Sequence, residues 1–268
     1  MKIGFIGLGN MATAMISGML AQKKVRPEDI LGSSKTEATA ARVRETLKIN
    51  AKVDNLTVAR EADILFLAIK PAMFPAVIEQ IGSEVKKGSY MVSIAAGLRL
   101  DHLKKAFSRP DLKFVRCMPN TPALVLEGCT AVCAGEEVSD DELAVIVELM
   151  ESLGKVSVVP ERLMDVVVGV SGSSPAYVFM FIEALADAAV AGGMPRQQAY
   201  EFVAQTVMGS AKLMIETGLH PGQLKDMVCS PGGTTIQAVK VLEERGMRGA
   251  LMAAVDACIE KSRNMSSC

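Results

Sequence analysis

Short apolar runs alternate with helix-like segments along the first half of the chain. An apolar run at residues 3–6 leads through a loop into a helical segment that extends to about residue 20. A polar, alanine-rich helix is predicted at 37–47. Further apolar runs lie at 30–32, 64–69, 90–94, 113–118, 130–134 and 156–159. Uninterrupted apolar strands separated by helices predict a parallel sheet covered on both faces, and so a doubly wound α/β fold.

The pattern changes near Pro160, beyond which we predict helices and no strand. A boundary there divides the chain into domains at 1–160 and 161–268. The predicted helices lie at 161–169, 175–192, 195–217, 222–229, 234–245 and 247–263.

The helix predicted at 175–192 is apolar nearly all round, and a small domain struggles to bury such a helix alone. This predicts helices that pack between subunits of a homo-oligomer. A membrane span is disfavoured, because it would bury the carboxylates of Glu183 and Asp187 on one helical face.

The chain has 268 residues, half of them hydrophobic, and a formal net charge of −1. That balance gives no electrostatic footprint for nucleic acid or an acidic membrane surface. The six cysteines form no C-x-x-C pair, and there are only two histidines. We therefore expect free thiols in a reducing cytoplasm and no metal site. The cysteines are Cys117, Cys129, Cys133, Cys229, Cys258 and Cys268.

The clearest chemical signal is the loop G-L-G-N-M-A at residues 7–12, between the first strand and the first helix. It has the G-x-G-x-x-G/A form that binds a dinucleotide pyrophosphate in Rossmann-type sheets. Gly7 permits the turn, Gly9 lets phosphate approach the backbone, and Ala12 lets the helix pack closely. A strand-turn-helix that binds nothing is the alternative. The predicted cofactor contacts here are Ile6, Gly7, Leu8, Gly9, Asn10 and Met11.

The end of the second strand bears on the choice of dinucleotide. An Asp or Glu commonly binds the ribose 2′-hydroxyl of NAD there, whereas this chain has Ser33, Ser34 and Lys35. Hydroxyls and an ammonium group favour a 2′-phosphate, so NADPH is predicted and NADH stays possible. The two serines alternatively cap the following helix, and Glu37 lies nearby.

Polar clusters also follow later strands, where ligands of such sheets bind. Lys70 with Pro71, and Asn120, are predicted to contact the cofactor; strand-ending turn chemistry is the alternative. In the second half, 171–175 (S-G-S-S-P) and 230–235 (S-P-G-G-T-T) each open a helix. The second is suited to a small carboxylate, because glycines expose backbone beside free N–H groups; simple helix capping explains it equally well.

Together these segments resemble the pyrroline-5-carboxylate reductase family over essentially the whole chain. Residues 230–235, followed by A-V at 238–239 and L-E at 242–243, are the most specific. The other matching segments are 4–11, 68–71, 116–122, 171–177 and 220–226.

The resemblance implies NAD(P)H-dependent reduction of the cyclic imine 1-pyrroline-5-carboxylate to L-proline, the last step of proline biosynthesis. It also implies a Rossmann-type domain followed by an all-α dimerisation domain, with the substrate at the dimer interface and decamers in some members. The cofactor contacts that it implies by matching position are Ser33, Ser34, Asn55, Ala68, Lys70 and Ala96.

The resemblance places the substrate at Thr234 and Thr235, with Thr235 nearest the ring nitrogen as the catalytic residue. A protonated C=N already accepts hydride well, so positioning dominates and no strong acid is needed. Solvent protonation before binding is the simplest hypothesis. Met227 stands where some relatives have a polar residue near the substrate. The full predicted substrate set is Ser173, Ser174, Gly233, Thr234 and Thr235.

Two other functions compete. A 3-hydroxyacid dehydrogenase has a similar layout but needs a lysine on its first interdomain helix, and no lysine occurs between Lys155 and Lys212. A dinucleotide-responsive binding protein is compatible with the fold alone, yet it would need no second small-molecule pocket.

Overall fold

The computed structural model describes residues 1–266 and divides into two compact units. The first comprises residues 1–173 together with the C-terminal segment from Ala257, and the second comprises residues 174–256. The domain boundary that the sequence places near residue 160 stays a prediction.

The first unit is built on an eight-stranded sheet with the strand order β3-β2-β1-β4-β5-β6-β7-β8. Its central strands follow the apolar runs in the sequence, so the predicted doubly wound sheet is confirmed. The strands are β1 (Ile3–Ile6), β2 (Ile30–Ser33), β3 (Asn50–Lys52), β4 (Ile64–Leu67), β5 (Tyr90–Ser93), β6 (Lys113–Met118), β7 (Gly128–Ala134) and β8 (Gly154–Val158).

The helices include those that the sequence predicts, except that 161–169 is not one continuous α-helix. Helix α2 has the predicted bounds because Thr36 caps its first turn and Lys48 ends it in a left-handed conformation. The helices are α1 (Asn10–Ala21), α2 (Glu37–Leu47), α3 (Asn55–Glu61), α4 (Phe74–Ile81), α5 (Leu100–Phe107), α6 (Asp140–Glu151), α7 (Met164–Val167), α8 (Ser174–Ala191), α9 (Arg196–Thr217), α10 (Pro221–Val228), α11 (Thr234–Glu244) and α12 (Met247–Ser266).

The sheet is not wholly parallel, which corrects the sequence prediction. Strand β7 runs antiparallel to β6, while the other neighbouring strands pair in parallel. A parallel connection needs a crossover of about a dozen residues or more, usually through a helix. Only a short 3-10 turn, Thr121–Val125, lies between β6 and β7, so the chain reverses direction. Strand β3 was not predicted, because it is a short edge strand with only Ala51 buried.

Alternate strand residues face two separate cores, one on each side of the sheet. Phe5 and Phe66 stack at 4.8 Å between ring centroids in the core beneath α1, α2 and α6. Ile6, Leu65 and Leu67 point the other way, into the core beneath α3, α4 and α5. Each core buries apolar side chains from both strands and helices, which makes this layered unit self-supporting.

The predicted helix 161–169 has three different turns. A 3-10 turn (Glu161–Leu163) leads into α7, and a π-helical turn (Val168–Gly172) follows. Two serines then follow, Ser173 in the first unit and Ser174 as the first residue of α8.

The second unit is wholly helical in the described residues, as predicted, and exposes much apolar surface. Ala186 is the buried residue of α8 and Ala199 that of α9, whereas Phe179, Phe202 and Ile215 are more than half exposed. Apolar patches of this extent mark association surfaces.

One helical stretch among the described residues, Glu161–Ala191, is long and apolar enough to cross a membrane. Asp187 within it pairs with Arg196.

A polar cluster lies at the amino ends of β5 and β6, whereas the glycine loop lies at the carboxyl end of β1. Tyr90 and Lys113 are register partners, and both bind Glu142 in the first turn of α6. Lys113 is the main cause that lowers the pKa of Glu142 to about 2, and the Ser139 N–H and the Tyr90 hydroxyl add to it.

We expect Glu142→Gln to lower Tm most clearly between pH 5 and 7. Because the folded-state pKa lies below the ordinary value of 4.5, the charge stabilises the fold above that value and loses this effect as pH falls towards 2. The Tm difference from wild type therefore narrows on acidification. Glutamine retains the capping-box contact to Ser139, so the variant tests the charge.

The matched control is Glu148→Gln on the same helix, which removes an exposed pair with Lys24 and changes Tm little. A difference between wild type and Glu142→Gln that is independent of pH would contradict the assignment.

Candidate functional site: a dinucleotide cleft and a separate helix N-terminus

The glycine loop begins where β1 passes between the ends of β2 and β4. The Gly7 N–H donates to the Ser33 carbonyl at 2.9 Å, and the Ala68 N–H donates to the Ile6 carbonyl at 2.8 Å. Gly7 has a φ of +94°, and a Cβ there would lie 2.4 Å from the Ala68 carbonyl oxygen. Both the backbone conformation and the close approach therefore require glycine at this position.

Gly9 leaves open space at the start of α1. A Cβ on Gly9 would meet nothing within 4 Å, and Gly9 is the N-cap of α1 without a capping side-chain hydrogen bond. The first-turn N–H groups of α1 therefore point outward uncapped by a side chain. Uncapped N–H groups beside the positive end of a helix dipole form a phosphate site.

Polar side chains from neighbouring strands are held in place beside this loop. The Ser33 hydroxyl donates to Asn55 Oδ1 at 2.6 Å, and Asn55 Nδ2 donates to Gln80 Oε1 at 2.8 Å. The Ser34 hydroxyl donates to the Thr36 carbonyl at 2.8 Å. The N-cap of α2 is Thr36, so capping does not explain the two serines.

These groups line one cleft of about 650 Å³, in which none of the described lining residues is a carboxylate. Three cations, Lys35, Arg42 and Lys70, line it, and none has an ion pair within residues 1–266. Glu37 points elsewhere and pairs with Arg44. The lining residues are Ile6, Gly7, Leu8, Gly9, Asn10, Ser33, Ser34, Lys35, Thr36, Thr39, Arg42, Asn55, Ala68, Ile69, Lys70, Met73 and Val77.

Most of the predicted cofactor contacts meet in this cleft, while four do not line it. Met11 and Ala96 are half-buried outside it, and Pro71 opens a 3-10 turn and lines a different cavity. Asn120 is buried, and both ends of its carboxamide bind the protein. Their roles as cofactor contacts stay predictions.

Arg42 is a lining residue that the sequence analysis missed. It lies on α2, one turn beyond Thr39, and both residues face the cleft. A cation on the first two turns of the helix after β2 was the available signal, but helix surfaces carry many solvated cations.

In the second unit, residues 230–235 form a glycine-rich entry to α11. Gly232 has a φ of +69°, and the Gly233 N–H donates to the Ser230 carbonyl at 3.0 Å. The Gly233 N–H is therefore already used within the turn. No side chain caps α11, so the N–H groups of Thr234, Thr235 and Ile236 are the donors that this end offers to an anion.

Thr235 is half-buried and Thr234 is exposed. Met227, the residue that departs from the family pattern, is 71 % exposed on α10. Ser173 belongs to the first unit, where its N–H donates to the Val168 carbonyl at 2.8 Å and its hydroxyl lies 3.1 Å from Cys258 Sγ.

Neither a disulfide nor a metal cluster involves the described residues. Five cysteines are free, and Cys268 lies outside the described range. Burial raises the pKa of Cys133 to about 11 and that of Cys117 further, so these thiols are unreactive at neutral pH. No group of three His, Cys, Asp or Glu side chains converges among residues 1–266.

Comparison with known proteins decides the family. Residues 161–265 match the family model "Pyrroline-5-carboxylate reductase dimerisation", and residues 2–97 match "NADP oxidoreductase coenzyme F420-dependent". The chain is 51 % identical to pyrroline-5-carboxylate reductase of Escherichia coli, over 99 % of this chain and 98 % of that one. The chain belongs to the pyrroline-5-carboxylate reductase family.

Other members of the family agree along the whole chain. The enzyme of Methanosarcina acetivorans is 42 % identical, over 98 % of this chain and 97 % of its own. The solved structure from Coxiella burnetii has a TM-score of 0.91 at 32 % identity, covering 99 % of this chain and 98 % of that one. The Plasmodium falciparum structure with NADP bound has a TM-score of 0.89 at 32 % identity, covering the same shares.

The cleft fits NADP(H) on its own geometry. Gly9 leaves the space that a pyrophosphate needs, and the uncapped start of α1 supplies donors to it. Lys35 and Arg42 offer two cations to a 2′-phosphate, and the Ser34 hydroxyl can donate to it only by giving up its bond to the Thr36 carbonyl. When bound, the cofactor supplies a hydride, and the reductase contributes its placement.

We expect Gly9→Ala to fold normally and to bind NADPH weakly. Its methyl group meets no protein atom and the backbone φ of −77° suits alanine, so Tm stays near wild type. The methyl occupies phosphate space, and the NADPH Kd rises at least about tenfold, equivalent to about 1.4 kcal/mol. Fluorescence titration and thermal melting measure the two quantities.

The contrasting variant is Gly7→Ala, which strains the backbone and overlaps the Ala68 carbonyl. It lowers stability by about 1–3 kcal/mol in the absence of cofactor. Wild-type NADPH affinity in Gly9→Ala would exclude the loop as the pyrophosphate site.

Proposed function

We propose that the chain catalyses the NADPH-dependent reduction of 1-pyrroline-5-carboxylate to L-proline, the last step of proline biosynthesis. Family membership over 99 % of the chain supports the reaction. Among the residues, the observation that supports this reaction is the N-terminus of α11, which follows the glycines of 230–235 and has no side-chain cap. This segment is the most family-specific part of the sequence, and it offers donors to a small carboxylate.

The substrate has two groups that the α11 end can recognise. Its carboxylate accepts hydrogen bonds from the first-turn N–H groups of Thr234 and Thr235. Its ring nitrogen, protonated by solvent before binding, donates to Thr235 Oγ1. NADPH supplies the hydride for the carbon of the C=N–H⁺ group. Because the nitrogen is already protonated, hydride addition gives the neutral secondary amine without a further proton.

The Thr235 hydroxyl orients the C=N–H⁺ group of the substrate and forms a hydrogen bond with its nitrogen. Its hydroxyl accepts a hydrogen bond while the nitrogen is an iminium, and donates one when the product nitrogen gains a lone pair. Ser173, Ser174 and Gly233 complete the proposed substrate set. Catalysis then depends on the mutual placement of donor and acceptor more than on acid strength.

The cofactor set follows from the cleft, with NADPH preferred and NADH possible. Of the predicted contacts that line it, Ser33, Ser34, Lys35 and Asn55 take the adenosine side, residues 6–10 take the pyrophosphate, and Ala68 and Lys70 lie beyond β4. The other predicted contacts do not line the cleft and rest on the sequence alone; they are Met11, Pro71, Ala96 and Asn120. The absence of a carboxylate among the lining residues supports NADPH, because a carboxylate would repel the 2′-phosphate.

The helical unit is the family's dimerisation domain, and its exposed apolar side chains support association. We propose a homodimer through this unit, with assembly to a decamer possible. We propose a cytoplasmic location, which the free thiols support, and neither a nucleic-acid nor a membrane partner.

We expect Thr235→Val to reduce kcat with a smaller change in KM. The change keeps the side-chain shape and removes one hydroxyl, and the loss of one hydrogen bond to a charged group corresponds to about 1.5–3 kcal/mol, or roughly 10- to 100-fold. NADPH absorbance in the presence of pyrroline-5-carboxylate measures it.

Thr235→Ser keeps the hydroxyl and serves as the control with near wild-type kcat. A Thr235→Val enzyme that changes only KM would make Thr235 a binding residue. Wild-type protein that binds NADPH but oxidises none with this substrate would refute the proposed reaction.

We expect Arg42→Ala to lower kcat/KM for NADPH by roughly 10- to 100-fold, because one charge-assisted hydrogen bond is lost. The value for NADH changes little, since NADH lacks the 2′-phosphate. Steady-state kinetics with both cofactors give the ratio.

Arg60→Ala is the control of equal charge, because Arg60 pairs with Glu84 and does not line the cleft. Equal losses with NADPH and NADH in Arg42→Ala would mean that Arg42 does not read the 2′-phosphate.

A further inference from the structure

The segment 161–172 in the first unit is attached to β6 and the loop after it at both of its ends. At its start, the Glu161 carboxylate accepts from the Arg116 guanidinium at 2.7 Å and from the Leu100 N–H at 2.7 Å. At its end, the Ser171 carbonyl accepts from Asn120 Nδ2 at 3.1 Å. Arg116 and Asn120 are only four positions apart, so one short stretch of chain holds both ends.

Asn120 is fixed by two different partners. Its Oδ1 accepts from the Cys129 N–H at 2.9 Å, while its Nδ2 donates to the Ser171 carbonyl. An N–H can only donate and a carbonyl can only accept, so these partners determine the orientation of the amide. The residue is 8 % exposed, and removal of either bond would leave a buried polar group unpaired.

The Ser171 carbonyl belongs to an unusual piece of backbone. It lies in the π-helical turn Val168–Gly172, which closes with the hydrogen bond from the Ser173 N–H to the Val168 carbonyl at 2.8 Å. π-Helical turns are rare and are frequently found at functional sites. Here the residue that follows is Ser173, in the proposed substrate set.

We infer that Asn120 is a positioning residue, which fixes Ser173 for the substrate by holding the π-turn through the Ser171 carbonyl. The inference rests on the proposed function and deepens it. It gives Asn120 a role different from the cofactor contact that the sequence analysis predicts. The side chain links the β6–β7 connection to the π-turn, and Ser173 takes its place from that turn.

The test is Asn120→Asp in the full-length enzyme. Aspartate has the same shape and still accepts from the Cys129 N–H, but its second oxygen faces the Ser171 carbonyl without a proton to donate. We expect kcat to fall about 10- to 100-fold through misplacement of the substrate contact. The NADPH Kd stays within about twofold of wild type, since the amide lies outside the cofactor cleft.

A kinetic isotope effect separates positioning from general damage. With NADPH deuterated at the transferred position, hydride transfer becomes more rate-limiting in Asn120→Asp, so the isotope effect on kcat rises above that of wild type. A second variant, Asn120→Ser, covers the case in which Asn120→Asp folds poorly. Serine is uncharged and too short to reach both partners, so we expect kcat and the isotope effect to change in the same direction as in Asn120→Asp.

Thr130→Val is the matched control in the adjacent strand. Thr130 Oγ1 is buried without a hydrogen-bond partner among the described residues, so its removal changes neither kcat nor the isotope effect. A fall in Tm alone, with wild-type kcat and isotope effect, would overturn the inference, and so would a weakened NADPH Kd. Inactive wild type would refute the proposed reaction instead, which keeps the two failures distinct.

Discussion

The cofactor cleft depends on one backbone position, Gly7, where β1 ends between two parallel neighbours. Its N–H bonds to the end of β2 and the preceding carbonyl bonds to the chain leaving β4, so the glycine is held between the two, with no room for a side chain. Strand order runs outward in opposite directions from β1, which opens a crevice at this edge. The loop, the serines after β2 and the lysine after β4 reach that crevice because their strands end at the same level.

Patterns that are local in sequence predicted most of this architecture. The central strands are apolar on both faces because helices cover both faces of the sheet. A strand such as Ile64–Leu67 can therefore be predicted from its apolar sequence alone. The glycine loop can be predicted because the turn and the close approach of the phosphate each require glycine at a fixed position. Helix α2 could be predicted from its polar, alanine-rich sequence, and the Thr36 cap accounts for where it begins.

Features that depend on distant partners were not predictable. Strand β3 has one buried residue and exists because β2 offers it an edge. The direction of β7 is set by the length of a connection, which an apolar pattern does not report. Asn120 follows a strand as a ligand contact would, and only its distant partner Ser171 shows that the amide is used internally. Arg42 is one of several exposed cations until the fold places it at the cleft.

The C-terminal segment has a consequence for synthesis. Ser262 is buried and donates to Asp165 at 2.6 Å across 97 positions of sequence, within the unit that contains the sheet. The helical unit is thus an insertion between two parts of the first unit. On the ribosome, the sheet has all its strands long before the segment from Ala257 emerges, and the surface around Asp165 stays uncovered while the helices are made. The first unit is therefore completed only after the inserted helical unit has been made, so one of its contacts forms at the very end of synthesis.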